Sequence, residues 1–262
     1  VGVLPWVWWY GVRRHAAYPL GSATEAVTNT VFGFMRAYVL IALWQVRPSL
    51  GGYDEIDAVT FCFITQALIG PVQIFGGMDL TERIRNGDVA IDLHRPAGLQ
   101  GWWLADDLGR AAGSLLLRAG PPLLAGALVF PFRPPAPANL AAFAAALVLA
   151  VTVSFGLRYL VAMGMFWLHD DRGLSAVTLV MSLFFSGMIL PLVVFPGALG
   201  GVARALPWAA MIQVPADVFL GRYDGAGLAG ALAFQAAWAA VLLGAGALVT
   251  RAARRKLVVH GG

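Results

Sequence analysis

DLTERIRNGDVAIDLHRP, residues 79–96, is the stretch that decides how this chain must be arranged. It is charged and helix-capable, and it lies between two long apolar runs, 58–75 and 111–130. A charge held at mid-bilayer costs several kcal/mol, so such a segment belongs outside the hydrocarbon. It carries no catalytic signature. Its expected use is mechanical, as a surface on which another protein pushes.

Working outward, the composition fixes the class. The chain is 59% hydrophobic and 12% charged, with a mean hydropathy of +0.74, far from a soluble domain of its length. A spanning helix needs about 20 mostly apolar residues, because roughly 30 Å of hydrocarbon is crossed at about 1.5 Å per residue. Six stretches meet that need: 28–46, 58–75, 111–130, 138–167, 174–194 and 226–250. The fourth is long enough to tilt or to extend past the bilayer. Cys62, the single cysteine, falls inside the second run, so no intrachain disulfide or cysteine-based metal site forms. No cleavable signal is expected at the start, since the arginines follow the WVWWY cluster rather than precede it.

Six spans place both ends on one side. That side carries Arg13, Arg14, Arg83, Arg85, Arg95, Arg110, Arg172, Arg251, Arg254, Arg255 and Lys256, against Arg47, Arg133, Arg204 and Arg222 on the other. Basic residues mark the cytoplasmic face, so both termini and residues 79–96 are expected in the cytoplasm. The net charge of +4 is then a topology signal, and no basic patch interleaved with aromatics points to nucleic acid.

Pro5 begins a segment, about residues 5–20, in which Trp6, Trp8, Trp9 and Tyr10 suit the headgroup region and Arg13 and Arg14 suit water. Between residues 191 and 215 the pattern breaks. Pro191, Pro196, Pro207 and Pro215, with interspersed glycines, interrupt helices repeatedly. Residues 196–217 are expected to be broken helices at the outer leaflet, tolerated there only where protein or water covers their backbone. An ordinary external loop is the plainer alternative.

Absent motifs narrow the function. The one lysine, Lys256, is not in a Walker A context, so the chain has no such route to ATP hydrolysis. None of the six apolar runs holds an Asp or Glu, which argues against an intramembrane carboxylate relay. His15, His94, His169 and His260 are scattered, and neither a zincin nor a nucleophile-elbow motif occurs. No catalytic residue, metal ligand or bound cofactor is expected.

The chain resembles the permease subunits of ABC-2 type exporters, in particular the viologen-exporter-like branch. The resemblance rests on GFMRAY (33–38), ERIRNGDVAIDLHRP (82–96), SGMILPLVVFP (186–196) and the closing VVHGG (258–262). The second is similar to that branch's I-x-x-G-x-x-x-x-x-L-x-R-P signature. The resemblance covers nearly the whole chain. It implies an all-α, polytopic integral membrane protein of six transmembrane helices. An N-terminal interfacial helix, a cytoplasmic coupling helix between the second and third spans, broken outer helices between the fifth and sixth, and a cytoplasmic tail (251–262) complete it.

It further implies an ABC ATPase subunit in two copies, which would bind ATP and magnesium, and a second permease, the same or a homologous chain. A small-molecule or lipid substrate and a place in the plasma membrane of a bacterium follow in the same way. The coupling helix would be residues 81–93, with Ile84, Val89, Ile91 and Leu93 as apolar contacts. Glu82, Arg83, Arg85 and Asp88 would form the polar rim, with Gly87 breaking the segment and Arg95 and Pro96 closing it. Without a partner, the same stretch is a solvated loop. The other readings are a non-transporting scaffold or sensor and, more weakly, a channel, for which no filter sequence is visible.

Arg36, Arg118 and Arg158 fall inside apolar runs, about 11–14 Å from their cytoplasmic ends at helical rise. Two readings stand. Each snorkels to the headgroups with its methylenes in lipid, or it lines a cytoplasm-facing cavity. Arg118 is the first choice for a functional role, because Pro121 and Pro122 follow it and free backbone carbonyls nearby.

Overall fold

The computed structural model describes residues 2–16, 19–95, 97–168, 170 and 172–260. Pro96, His169, Gly261 and Gly262, named above, lie outside the described residues. Helices and their connections make up the described chain, with no strand among the described residues. In order they are α1 (Leu4–Ala16), α2 (Pro19–Val46), α3 (Glu55–Val72), α4 (Asp79–Arg85), α5 (Val89–Leu93) and α6 (Leu99–Ser114). A π-helical turn at Leu115–Ala119 joins α6 to α7 (Gly120–Val129). Then follow α8 (Pro137–Leu168), α9 (Arg172–Phe185), α10 (Gly197–Ala205), α11 (Gln213–Phe219) and α12 (Gly225–His260).

Five stretches among the described residues are long and apolar enough to cross a membrane: Ala23–Val46, Glu55–Val72, Leu99–Val129, Asn139–Leu168 and Gly225–Lys256. The expected span at 174–194 is different. Its helix, α9, has 14 residues, about 21 Å at helical rise and short of the roughly 30 Å core. The reason is local. At Gly187 φ is +87°, and a Cβ there would meet the Gln213 side chain at 2.6 Å. Gln213 instead holds the two ends of residues 186–192, its N–H donating to the Ser186 carbonyl (2.9 Å) and its Oε1 accepting from Leu192 N (2.8 Å), while Met188 N donates to Ser186 Oγ (3.1 Å). Helical hydrogen bonding thus ends one turn before Pro191, where the sequence signals the break.

The third span also differs from its apolar run. The helix starts at Leu99, not near 111, so Asp106, Asp107 and Arg110 are inside a helix that runs on to Val129. The helix thus extends 12 residues (99–110) beyond its apolar run on the side of the charged stretch and carries these charges there, while the run itself, 111–130, holds no carboxylate. The charges are tolerated because α1 lies along this part of α6 and covers it. Glycines permit the contact: a Cβ on Gly109 would sit 2.1 Å from the Trp8 carbonyl oxygen, and one on Gly11 would sit 2.6 Å from that of Asp106. The outer face of α1 leaves Trp6, Trp8, Trp9 and Tyr10 exposed.

At the centre stands α3, apolar on nearly every side and mostly buried, as a helix surrounded by other helices must be. Its start is set by a capping box, with Asp54 accepting from Asp57 N (2.7 Å) and Asp57 accepting from Asp54 N (3.3 Å). Phe63 on α3 fills the space left by Gly33 on α2 and Gly126 on α7, and stacks edge-on with Phe34. On the other side α8 packs against α12, with Gly156 facing Leu242.

The proline-rich stretch forms a 3-10 turn at Leu192–Val194, α10, a second 3-10 turn at Pro207–Ala210, and α11. Residues 209–220 are buried throughout, against α3 and α8. Their backbone is covered by protein. Beside them, Asp217 takes hydrogen bonds from Gln213 Nε2 (3.0 Å), from the Tyr53 hydroxyl and from the Tyr223 hydroxyl (3.3 Å). Asp57 at the same end of α3 is 2% exposed and pairs with Arg133 (3.2 Å) and Arg222 (3.4 Å).

Candidate functional site

Residues 79–95 form two short helices rather than one. The backbone turns at Asn86–Asp88, where Gly87 has φ +82°, a conformation open to glycine. The break falls where the sequence places it. What faces outward does not follow the apolar pattern, however. Of the four expected contact residues, Val89 is buried, and Ile84 and Leu93 pack beside it against the cluster of Leu99, Trp103, Phe155 and Met163. Ile91 alone is 67% exposed. Around it, Glu82, Arg85, Asp88, Ala90 and His94 are also exposed. Ile91 is therefore the one large apolar side chain among these exposed residues, which, Ala90 apart, are charged or polar.

Arg83 turns inward. Its Nε and Nη2 donate to the two oxygens of Asp92, at 2.5 and 3.0 Å. Arg95 Nη2 pairs with the same carboxylate at 2.7 Å, and its guanidinium stacks on Trp102 at 4.1 Å. The Asp92 side chain is fully buried. A bidentate fork from α4, a carboxylate on α5 and a second cation just beyond α5 thus lock the two helices to each other and to α6. Its hydrogen bond to Asp92 raises the Arg83 pKa above the ordinary guanidinium value. Sequence reasoning passed over Asp92. Its distance from Arg83 along the chain is no helical spacing, and a lone acid in a charged stretch carries no burial signal.

Behind this platform lies a second network, at the end of α3. An α-helix leaves its last carbonyls without intrahelical donors. Here Arg110 Nη1 donates to Gly70 O (2.8 Å), Arg110 Nη2 to Pro71 O (2.9 Å) and Ser154 Oγ to Val72 O (2.5 Å). A cation at a helix C-terminus also complements the macrodipole. Asp107 holds both arginines in place: Arg110 Nε at 2.8 Å and Arg158 Nη2 at 2.6 Å. Arg158 reaches on to Gln73 Oε1 (3.1 Å), the first residue after α3. Gln73 itself is left-handed, φ +54°, and turns the chain toward α4. The end of α3, α6 and α8 are thereby tied directly above the α4–α5 pair.

The three arginines singled out by sequence fall in different surroundings. Arg158 borders a cavity of about 210 Å³ between α8, α9 and the α3–α4 link. Arg118 sits in the π-helical turn just ahead of Pro121 and pairs with Glu25 on α2 at 2.5 Å. Such turns recur where a helix must present a side chain out of register. Arg36 lines an apolar groove between α2, α3 and residues 183–189. Asp107, Gln73 and Glu25 were not singled out by sequence. For Asp107 the signal was the neighbouring glycines, Gly109 and Gly113, which mark a close helix contact able to cover a charge.

Comparison with curated proteins returned no match, and neither did comparison with solved structures. The family model described as ABC-2 family transporter protein matches residues 30–261. That match takes in the five long apolar spans almost completely, together with the α4–α5 platform and the buried proline-rich stretch. The chain belongs to the ABC-2 transporter protein family.

Proposed function

We propose that this chain is the permease subunit of an ATP-driven exporter, worked by a separate ATPase that docks on the α4–α5 platform. The observation that carries the proposal is a short, outward-facing element that is braced internally and packed on α8, the helix that also ties down the end of the central helix. Asp92 fixes the platform internally, and Arg110, Ser154 and Arg158 fix the end of α3 above it. Force applied at Ile91 therefore reaches α6 through Arg95 and Trp102 and α8 through its packing on α4, and those two helices hold the end of α3. A loop with no partner needs no such bracing.

The ATPase would act in two copies, since a pump of this kind pairs two permeases, identical or homologous. The bias of basic residues supports a cytoplasmic side, in a bacterial cell, for the platform and both termini, with α9 and the residues that follow it together completing the sixth crossing. The buried stretch from Pro207 to Leu220 then lies toward the outer leaflet, with its backbone covered by α3 and α8. ATP and magnesium belong to the partner, and the path across the bilayer carries an amphipathic or lipophilic molecule.

Ile91→Asp tests the docking surface. The side chain is exposed, so folding and insertion should be unaffected. Truncating or charging an interface anchor commonly costs over about 1 kcal/mol of binding. Co-purification of the ATPase should fall at least severalfold. Ile84→Ala, which loosens the platform from beneath, should lower thermal stability as well. Undiminished co-purification by Ile91→Asp removes the platform from the interface.

A further inference from the structure

The groove beside Arg36 has a volume of about 340 Å³, within the usual range for a small-molecule site. Phe32, Ile69, Phe75, Leu183, Met188 and Ile189 give it apolar walls. Four polar side chains line it as well, Thr28, Asn29, Arg36 and Gln66, and two of them carry unsatisfied buried atoms. Arg36 Nη1 donates to Thr65 Oγ1 (3.0 Å) and Nη2 approaches the Ile189 carbonyl (3.5 Å), but the buried Nε has no acceptor. Gln66 is 1% exposed, and its buried Oε1 has no donor.

Charge bookkeeping sets Arg36 apart. Arg110 and Arg158 share Asp107, and Arg118 has Glu25. Among the described residues Arg36 has no carboxylate partner, although it sits inside a span. The Thr65 hydroxyl and the Ile189 carbonyl satisfy part of its donor capacity but leave its charge without a counter-ion, which a buried guanidinium ordinarily has. Snorkelling does not supply this, because the head points into the groove beside Thr65 and not along α2 to its end.

We propose that this groove binds an amphiphilic organic anion. The acidic head sits on Arg36, a polar group next to the head meets Asn29 on the groove wall, and the tail lies along Phe32, Ile69 and Leu183. The same arrangement disfavours an amphiphilic cation, whose head would face an unpaired guanidinium at close range. The inference rests on the permease reading for its significance, since it names the class of molecule the path would take. Phe75 connects the groove to the α3–α4 link, so an occupant touches the element that leads to the platform.

The test uses the purified full chain in phosphatidylcholine nanodiscs, without any ATPase, so its outcome is independent of docking. Three probes of equal chain length are compared, with binding to empty discs subtracted: N-dodecanoylglycine, its methyl ester and dodecyltrimethylammonium. The acid should bind at least about tenfold more tightly than the ester, as a charge-assisted hydrogen bond in an apolar site gives, and the cation more weakly still. Arg36→Gln should erase the difference between acid and ester, Arg36→Lys should keep most of it, and Thr28→Trp should weaken both by filling the groove. Titrating phosphatidylglycerol into the discs identifies the source. Loss of binding makes a lipid headgroup the resident anion, and persistence makes it a non-lipid solute. Equal affinity for acid and ester in the unaltered chain, or an acid preference that survives Arg36→Gln, overturns the proposal.

Discussion

Asp107→Asn should destabilise the protein more than any other single change on the inner face of these helices. Asp107 is 5% exposed and is shared by Arg110 and Arg158. Asparagine keeps the shape but removes the charge, leaving two largely buried guanidinium groups without the carboxylate they share. Breaking a buried pair in this way costs about 3–5 kcal/mol, whereas removing both partners for apolar groups is often near neutral. Thermal unfolding in detergent, followed by tryptophan fluorescence, should therefore show a large drop for Asp107→Asn. Asp107→Leu combined with Arg158→Met should recover part of the loss seen with Asp107→Leu alone. Arg110 keeps its bonds to the Gly70 and Pro71 carbonyls in either background, so recovery will be incomplete. Equal loss in single and double variants would mean the pair is not coupled.

Asp92→Ala is the second large effect, and it should separate folding of the spans from use of the platform. The fully buried carboxylate is the acceptor for both Arg83 and Arg95. Without it, α4 and α5 lose the bond that holds them together, and two cations lie over an apolar base of Leu80 and Val89. The local cost is again about 3–5 kcal/mol, but it falls on an element outside the spans. Hydrogen exchange across residues 79–95 should rise sharply while α3 and α8 remain protected. ATP hydrolysis by the partner should become independent of substrate. Arg83→Lys should show a milder form of the same defect, because an ammonium cannot reproduce the two-pronged contact.

Much of the architecture is legible in the sequence. Six apolar runs, five of which become helices long enough to span, and a charged stretch between the second and third give the membrane class and the location of the platform. Gly87 marks the turn between α4 and α5 because a left-handed residue is needed there. Three things are not legible. The helix at α9 ends before its proline, because Gln213, far along the chain, holds the two ends of residues 186–192. The third span begins in a charged stretch, because α1 and its glycine contacts cover charges that otherwise read as a loop. The inward and outward faces of residues 79–95 depend on where α6 and α8 sit. Val89 and Ile91 are equally apolar, yet one is in the core and the other is exposed. For the arginines, sequence gave the question but not the partner. Asp107 and Glu25 come from other helices, and the absence of a partner at Arg36 has meaning only beside them.

The most direct measurement is photo-crosslinking from position 91 in cells. A benzoylphenylalanine replacing Ile91 should capture a protein bearing Walker motifs, while the same group replacing Asp224, at the opposite end of the molecule's spans, should not. Capture from position 224 and none from 91 would contradict both the orientation and the role assigned to the platform.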